Sequence, residues 1–278
     1  MAVDELRLLH SRPYAPTSPG WADDGYRRDV QQVFPRSDTD DVDPVAAYHD
    51  VDRPAPAGRP WVLVNMVASV DGATTVDGRS GPLGGEADRR LLGVLRGLAD
   101  VVLVGAGTVR AEGYGPPRTP VAEVGERRAD RGQAVRPRLA VVSGRADLDP
   151  SASLFADRDP DDPPPLVYTS TDVPPDRLVG LSGVAEVVAT DGAPEVAAVV
   201  ADLHDRGVGI VLCEGGPSLV AQLSSAGLVD ELCLSVSPLI VGSGSGLLAG
   251  APLPTPTSLR LAHVLTADDF LFCRYLTC

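Results

Sequence analysis

The chain has 278 residues, of which 44 % are hydrophobic and only 4 % aromatic. That suffices for one large core or two small ones, built from Val, Leu and Ala as in parallel strands covered by helices on both faces. A formal charge of −14, with no Lys/Arg-rich run against it, argues against a nucleic-acid partner. An anionic small ligand must then be held locally by helix N-termini, backbone amides and a few Arg side chains.

Cys213, Cys233, Cys273 and Cys278 form no Cys-x-x-Cys pair, and His10, His49, His204 and His263 lack metal-ligand spacing. Free, buried thiols and no metal are expected. The opening residues carry no basic stretch followed by an apolar core, and no apolar run approaches membrane-spanning length, so a soluble, cytoplasmic protein is expected.

Residues 1–58 carry Pro13, Pro16, Pro19, Pro35, Pro44, Pro54 and Pro56 and read as an irregular Pro-rich extension. One short helix is plausible there, with Asp43 as its cap and Pro44 in its first turn. Leu6, Leu8, Leu9, Trp21, Tyr26, Val33 and Phe34 are apolar anchors. They leave two readings open, a loose arm or an arm packed on the core or on a partner subunit.

Residues 59–278 read as one α/β domain in which strand and helix signals alternate. Strands are predicted near 61–68, 101–105, 138–143, 166–169, 185–189, 208–213, 229–237 and 269–276, and helices over 86–99, 194–206 and 217–226. The helix over 86–99 has the clearest stripe: Leu91, Leu92, Val94, Leu95 and Leu98 are apolar, while Glu86, Asp88, Arg89, Arg90 and Arg96 mostly occupy the other side. Residues 113–137 and 146–165 read as loops, as does Gly242–Gly246, which could border a ligand.

Three Gly-bearing turns follow apolar runs: Ser69-Val70-Asp71-Gly72, Gly105-Ala106-Gly107-Thr108-Val109-Arg110 and Glu214-Gly215-Gly216-Pro217-Ser218. Each offers backbone amides at the carboxyl end of a strand, where open α/β sheets bind nucleotides. The second turn is not a dinucleotide fingerprint, because Arg110 stands where the third Gly belongs. Its small residues still admit a pyrophosphate, and Thr108 can cap a helix; a ligand-free strand-to-helix turn is the alternative. In the third, Gly-Gly allows close approach, Pro217 opens a helix and Glu214 ends an apolar strand, where it needs a donor or a ligand unless it merely caps a helix. Ser69 and Asp71 can face polar ring atoms of a substrate, or Asp71 can simply close an Asx-type turn. Ser143 with Arg145 at another strand end could clamp a 2′-phosphate, favouring NADPH. Signatures of serine hydrolases, P-loop NTPases, zinc proteases and zinc deaminases are absent from the sequence.

In this order, Pro60–Gly72 with Asn65, Ser69 and Asp71, then Ala99–Arg110, then Glu214–Ser218 followed by Gly227–Leu232, resemble the C-terminal reductase domain of the bifunctional riboflavin-biosynthesis deaminase/reductase. The resemblance covers about residues 59–277. It implies a dihydrofolate-reductase-like, mostly parallel sheet with helices on both faces, a homodimer, and NADPH as cofactor. It also implies reduction of the ribosyl group of 5-amino-6-(5-phosphoribosylamino)uracil, or of the related diaminopyrimidinone, to ribityl. On that resemblance Gly105, Gly107, Thr108, Val109, Gly215, Gly216, Pro217 and Ser218 hold the cofactor, with Ser143 and Arg145 nearer its adenosine. Asn65, Ser69, Ser80, Arg89, Glu112 and Arg118 would contact substrate, and Asp71 and Glu214 are the candidate catalytic groups. Asn65 stands where the bifunctional enzymes commonly have Lys, and Ala111–Gly115 departs from their Asp-Asn-Pro pattern, so the exact substrate stays open. A dihydrofolate or pterin reductase of the same fold and a non-catalytic NADPH sensor are the alternatives.

Overall fold

The computed structural model describes residues 31–35, 42–119, 122–249 and 253–278. The apolar anchors Leu6, Leu8, Leu9, Trp21 and Tyr26 lie outside the described residues.

The strands are β1 (Gln31–Phe34), β2 (Trp61–Ser69), β3 (Val101–Gly105), β4 (Arg138–Val142), β5 (Leu166–Ser170), β6 (Glu186–Thr190), β7 (Ile210–Cys213), β8 (Glu231–Ser237), β9 (Leu259–Ala267) and β10 (Phe270–Thr277). They form one sheet in the order β1-β9-β10-β8-β2-β7-β3-β4-β5-β6. Every pair from β8 to β6 is parallel, and β1, β9, β10 and β8 pair antiparallel. The mostly parallel α/β sheet expected from the sequence is thus the sheet observed, with an antiparallel end added.

Alternation along the central strands feeds two cores. Leu63, Val102 and Val104 point to one face, against Val94, Leu95 and Leu98 from α2 (Glu86–Arg96) and its C-terminal turn. Val62, Val64, Val101 and Leu103 point to the other, against α7 (Val196–Asp205) and α8 (Pro217–Ser225). Burial on both faces explains why these strands read as continuous apolar runs.

The described part of the N-terminal extension is built into this body. Helix α1 (Pro44–His49) starts where the sequence places it, with Asp43 Oδ1 accepting from the Val45 amide at 2.9 Å, and its Val45 and Tyr48 are fully buried. β1 extends the antiparallel edge along β9. Arg53 then pairs with buried Glu231, and Arg59 with Asp230, so the segment leading into β2 is fixed by charge as well as by packing.

The predicted helix 86–99 stops at Arg96 because the chain must let another helix in. A Cβ at Gly97 would sit 2.0 Å from Val124 Cγ1. Val124 belongs to α4 (Ala122–Asp130), inside a stretch that reads as loop in the sequence. From α4 the buried Arg128 donates to the carbonyls of Gly97, Ala99 and Ala134, closing the end of α2. The remaining helices are α3 (Ala106–Glu112), α5 (Ser153–Ala156) and α6 (Pro175–Ser182). Cys213, Cys233 and Cys273 are buried thiols and Cys278 is exposed. Among the described residues no helix is long and apolar enough to cross a membrane.

Candidate active site

Because β2, β7 and β3 are parallel neighbours, their carboxyl ends deliver two of the glycine turns to one place. The turns are knitted together by backbone bonds: the Glu214 amide donates to Leu103 O at 3.0 Å and the Gly105 amide to Gly215 O at 2.8 Å. Together they border a cavity of about 1020 Å³.

One half of the cavity is glycine-rich. Gly105, Gly107, Thr108, Gly216, Pro217 and Ser218 line it, and Ser143 and Arg145 line its far end. Helix α8 follows Gly216 with no side chain capping it; Pro217 has no N–H and the Leu219 amide donates to Gly216 O, which leaves the Ser218 amide of the first turn for the cavity. The approach of the turns requires glycine: a Cβ on Gly216 would sit 2.6 Å from Thr108 Oγ1, and Gly215, at φ +87°, lies against Met66. The Gly215–Gly216 peptide is cis. Two predicted cofactor contacts are not on the wall. Val109 faces the core at 4 % exposure, and Gly215 is buried behind Gly216.

The other half carries side-chain chemistry. Asn65 comes from β2, Ser80 and Arg89 from the segment around a short 3₁₀ turn and α2, and Glu112 from the end of α3. Glu112 Oε1 accepts from the Ser80 amide at 2.6 Å, so it organises the loop beside it. On α2, Asp88, Leu92 and Arg96 recur every four residues and face the cavity. Arg96 grips Glu214 with two parallel bonds, Nε to Oε1 and Nη2 to Oε2, each 2.7 Å. The Tyr114 hydroxyl also donates to Glu214 Oε2. Burial alone would depress the Arg96 pKa, but Glu214 and Tyr114 more than offset it and the net shift is upward. Burial and the neighbouring Glu214 push the Tyr114 hydroxyl upward as well.

Arg96 and Tyr114 are the residues that sequence reasoning missed. Arg96 was legible only as the polar side of an amphipathic helix, though its seven-residue spacing from Arg89 puts both on one face. Tyr114 sits in a stretch without periodicity.

The first glycine turn requires a correction. Ser69 and Asp71 do not line the cavity. The Ser69 hydroxyl donates to Asp71 Oδ1 at 2.6 Å, and Asp71 also accepts from the amides of Val241 (3.1 Å) and Gly242 (2.7 Å). The Ser69 bond and these two amides hold its pKa down at about 2. The pair therefore ties the Val241–Ala249 loop to the end of β2, and that loop supplies Ser245 and Ala249 to the cavity wall. Asp71→Asn is accordingly expected to leave kcat within about threefold while raising KM, because a general acid would contribute roughly 100-fold or more. A collapse of kcat at unchanged KM in steady-state kinetics would return Asp71 to the chemistry. Arg118, predicted to contact substrate, is exposed and off the cavity wall.

A mostly parallel sheet whose strand ends hold a glycine-lined cleft beside an Arg/Glu/Tyr cluster defines an α/β enzyme of the nucleotide-dependent type. The chain belongs to the reductase family of the RibD C-terminal domain, which it matches over residues 60–271. It is 34 % identical over 188 residues to the 2,5-diamino-6-ribosylamino-4(3H)-pyrimidinone 5′-phosphate reductase of Archaeoglobus fulgidus, a match covering 66 % of this chain and 83 % of that one. The protein of the same description from Methanothermobacter thermautotrophicus is 31 % identical over 185 residues, covering 66 % and 80 %. Among solved structures, a pyrimidine reductase-like protein from Corynebacterium diphtheriae superposes with a TM-score of 0.76 at 29 % identity, over 85 % of this chain and 99 % of that one.

Proposed function

We propose that the chain reduces the ribosyl group of a 6-ribosylaminopyrimidine 5′-phosphate of riboflavin biosynthesis to ribityl, with NADPH as the reductant. The observation that carries this reading is the division of one cleft into a glycine-and-amide half and an Arg/Ser/Asn half. The glycine half suits a dinucleotide: a Cβ on Gly107 would meet open space within the cleft, and one on Gly216 would fill it against Thr108. Gly105, Gly107, Thr108, Gly216 and Ser218 would hold the pyrophosphate and ribose, and Ser143 and Arg145 the adenosine end with its 2′-phosphate. When bound, the cofactor supplies a hydride from C4 of its nicotinamide.

This chain's own residues bind and orient. Arg89 supplies positive charge toward the sugar phosphate, Ser80 its hydroxyl, and Asn65 amide donors and acceptors toward the pyrimidine. The Arg96–Glu214–Tyr114 cluster fixes the wall between the two halves, so the reacting atoms meet in one orientation. The test is NADPH oxidation measured side by side with the diaminopyrimidinone, its deaminated uracil counterpart and dihydrofolate. Turnover with either ribosylaminopyrimidine and not with dihydrofolate is expected. NADPH binding without oxidation of any of the three would favour the sensor.

A homodimer belongs to the same proposal. Phe34, Val264, Cys273 and Leu234 form one cross-strand row on the outer face of the antiparallel end, and Thr266, Leu271 and Val236 the next. Leu271 is 43 % and Phe34 44 % exposed, an apolar face suited to a second copy of the chain. Sedimentation equilibrium should give twice the chain mass. The cytoplasm is the proposed location.

A further inference from the structure

The reduction proposed above consumes a proton for every hydride. The C1′–O4′ bond of the ribosyl group breaks, a hydride is taken up at C1′, and O4′ leaves as a hydroxyl. Reduced nicotinamide is oxidised in the exchange, and the proton on O4′ has to come from the site.

Among the described residues four carboxyl groups line the cavity: Asp88, Glu112, Asp147 and Glu214. Three are committed elsewhere. Glu214 accepts the double bond from Arg96 and a further bond from Tyr114. Glu112 accepts from the Ser80 amide. Asp147 lies at the adenosine end, 3.7 Å from Arg110 and 54 % exposed. Asp71, the other catalytic candidate from the sequence, lies outside the cavity and is held ionised by three donors.

We propose that Asp88 is the proton donor of the reduction. It projects from the first turn of α2 into the substrate half of the cleft, in the same four-residue stripe as Leu92 and Arg96, and shares that cavity wall with Asn65 and Val67 of β2. Ser235 of β8, which is 1 % exposed, is the polar group of the sheet that acts on this carboxyl. Gly84 leaves it room, since a Cβ there would stand 2.9 Å from Asp88 Oδ2. The Phe270 ring of β10 packs over the neighbouring Gly85, where a Cβ would stand 2.8 Å from it. Arg89 is the charged group that faces it.

Burial is the largest influence on this carboxyl and raises its pKa; Ser235 and Arg89 oppose the rise without cancelling it. Asp88 therefore keeps its proton to higher pH than an ordinary carboxyl. It gives that proton to O4′, is left as a carboxylate, and is reprotonated from solvent before the next turnover.

The experiment compares wild type, Asp88→Asn and Asp88→Glu in NADPH oxidation over pH, with NADPH binding by calorimetry and a ¹³C-carboxyl titration of the protein. Asp88→Asn should lose roughly 100-fold or more in kcat and bind NADPH within about twofold of wild type, with Asp88→Glu recovering part of the rate. Wild-type kcat should fall as pH rises through the raised pKa of Asp88, and this limb should vanish in Asp88→Asn. An Asn variant within threefold of wild type, or one that keeps the limb, overturns the assignment. So does a carboxyl titration in which Asp88 behaves as an ordinary carboxylate, whatever the activity. Wild type that oxidises NADPH with neither ribosylaminopyrimidine refutes the proposed reaction itself and this assignment with it.

Discussion

Glu231→Leu is expected to destabilise the protein by about 3–5 kcal/mol, a large part of the roughly 5–15 kcal/mol that holds a typical domain folded. The Glu231 side chain is completely buried. It accepts from Arg53 at 2.8 and 2.9 Å, from Arg274 at 2.6 and 3.3 Å and from Trp61 Nε1 at 3.2 Å. Without the carboxylate, two guanidiniums that are 2 % and 5 % exposed face each other with no counter-charge. Arg53 leads from α1 into β2, so its release would loosen the N-terminal strand and helix from the antiparallel end. The same carboxyl gives an acid limb to stability. Burial pushes its pKa up, but the bonds from Arg53 and Arg274 pull it further down, leaving it below the ordinary value. A depressed folded-state pKa means stability that is present above the unfolded pKa and lost as pH falls through the folded one. Urea unfolding at pH 7 and pH 4 measures both effects. A triple variant with Arg53→Met, Glu231→Leu and Arg274→Leu should recover much of the loss. If Glu231→Leu alone costs under 1 kcal/mol, the cluster is not an anchor.

How much of this was legible in the sequence depends on whether a segment's partner is local. The central strands β2, β3, β4 and β7 announce themselves because burial on both faces makes them unbroken apolar runs. β1 and β9 do not. Their reason to be strands is each other and β10, and β9 opens with Leu-Arg-Leu, two of whose residues lie exposed at the sheet end. Helix α4 reads as loop because, beyond Val124, its buried member is Arg128, and a side chain that satisfies three distant carbonyls leaves no hydrophobic signature. In the site, glycine turns after apolar strands marked the glycine-lined half of the cavity. Polar residues were harder to assign, because type alone cannot tell a loop fastener from a cleft wall. Asp71 has the composition of a catalytic residue and the contacts of a hinge pin, whereas Asp88 and Arg96 look like solvated helix face and point into the cavity.

Arg96→Leu should abolish most of the activity and also weaken the fold, and the two losses can be separated. Arg96 keeps 18 % side-chain exposure and Glu214 7 %, so the loss of stability belongs near the lower end of the buried-pair range, at about 3 kcal/mol. Most of that loss is the uncompensated Glu214 carboxylate, left with Tyr114 alone. A second substitution, Glu214→Leu, removes the stranded charge. The double variant should therefore recover stability toward wild type, giving a coupling energy of about 2 kcal/mol or more in a double-mutant cycle. On the proposed reading activity should not return, because packing two leucines restores the wall without restoring its polar surface. Tyr114→Phe removes one donor and leaves the Arg96 bonds in place, so it should cost about 1 kcal/mol. If the cycle gives coupling below 0.5 kcal/mol, Arg96 and Glu214 act independently and the cluster does not set the geometry of the cleft. If the double variant regains turnover along with stability, the cluster is scaffold and the charge that meets the substrate must be Arg89.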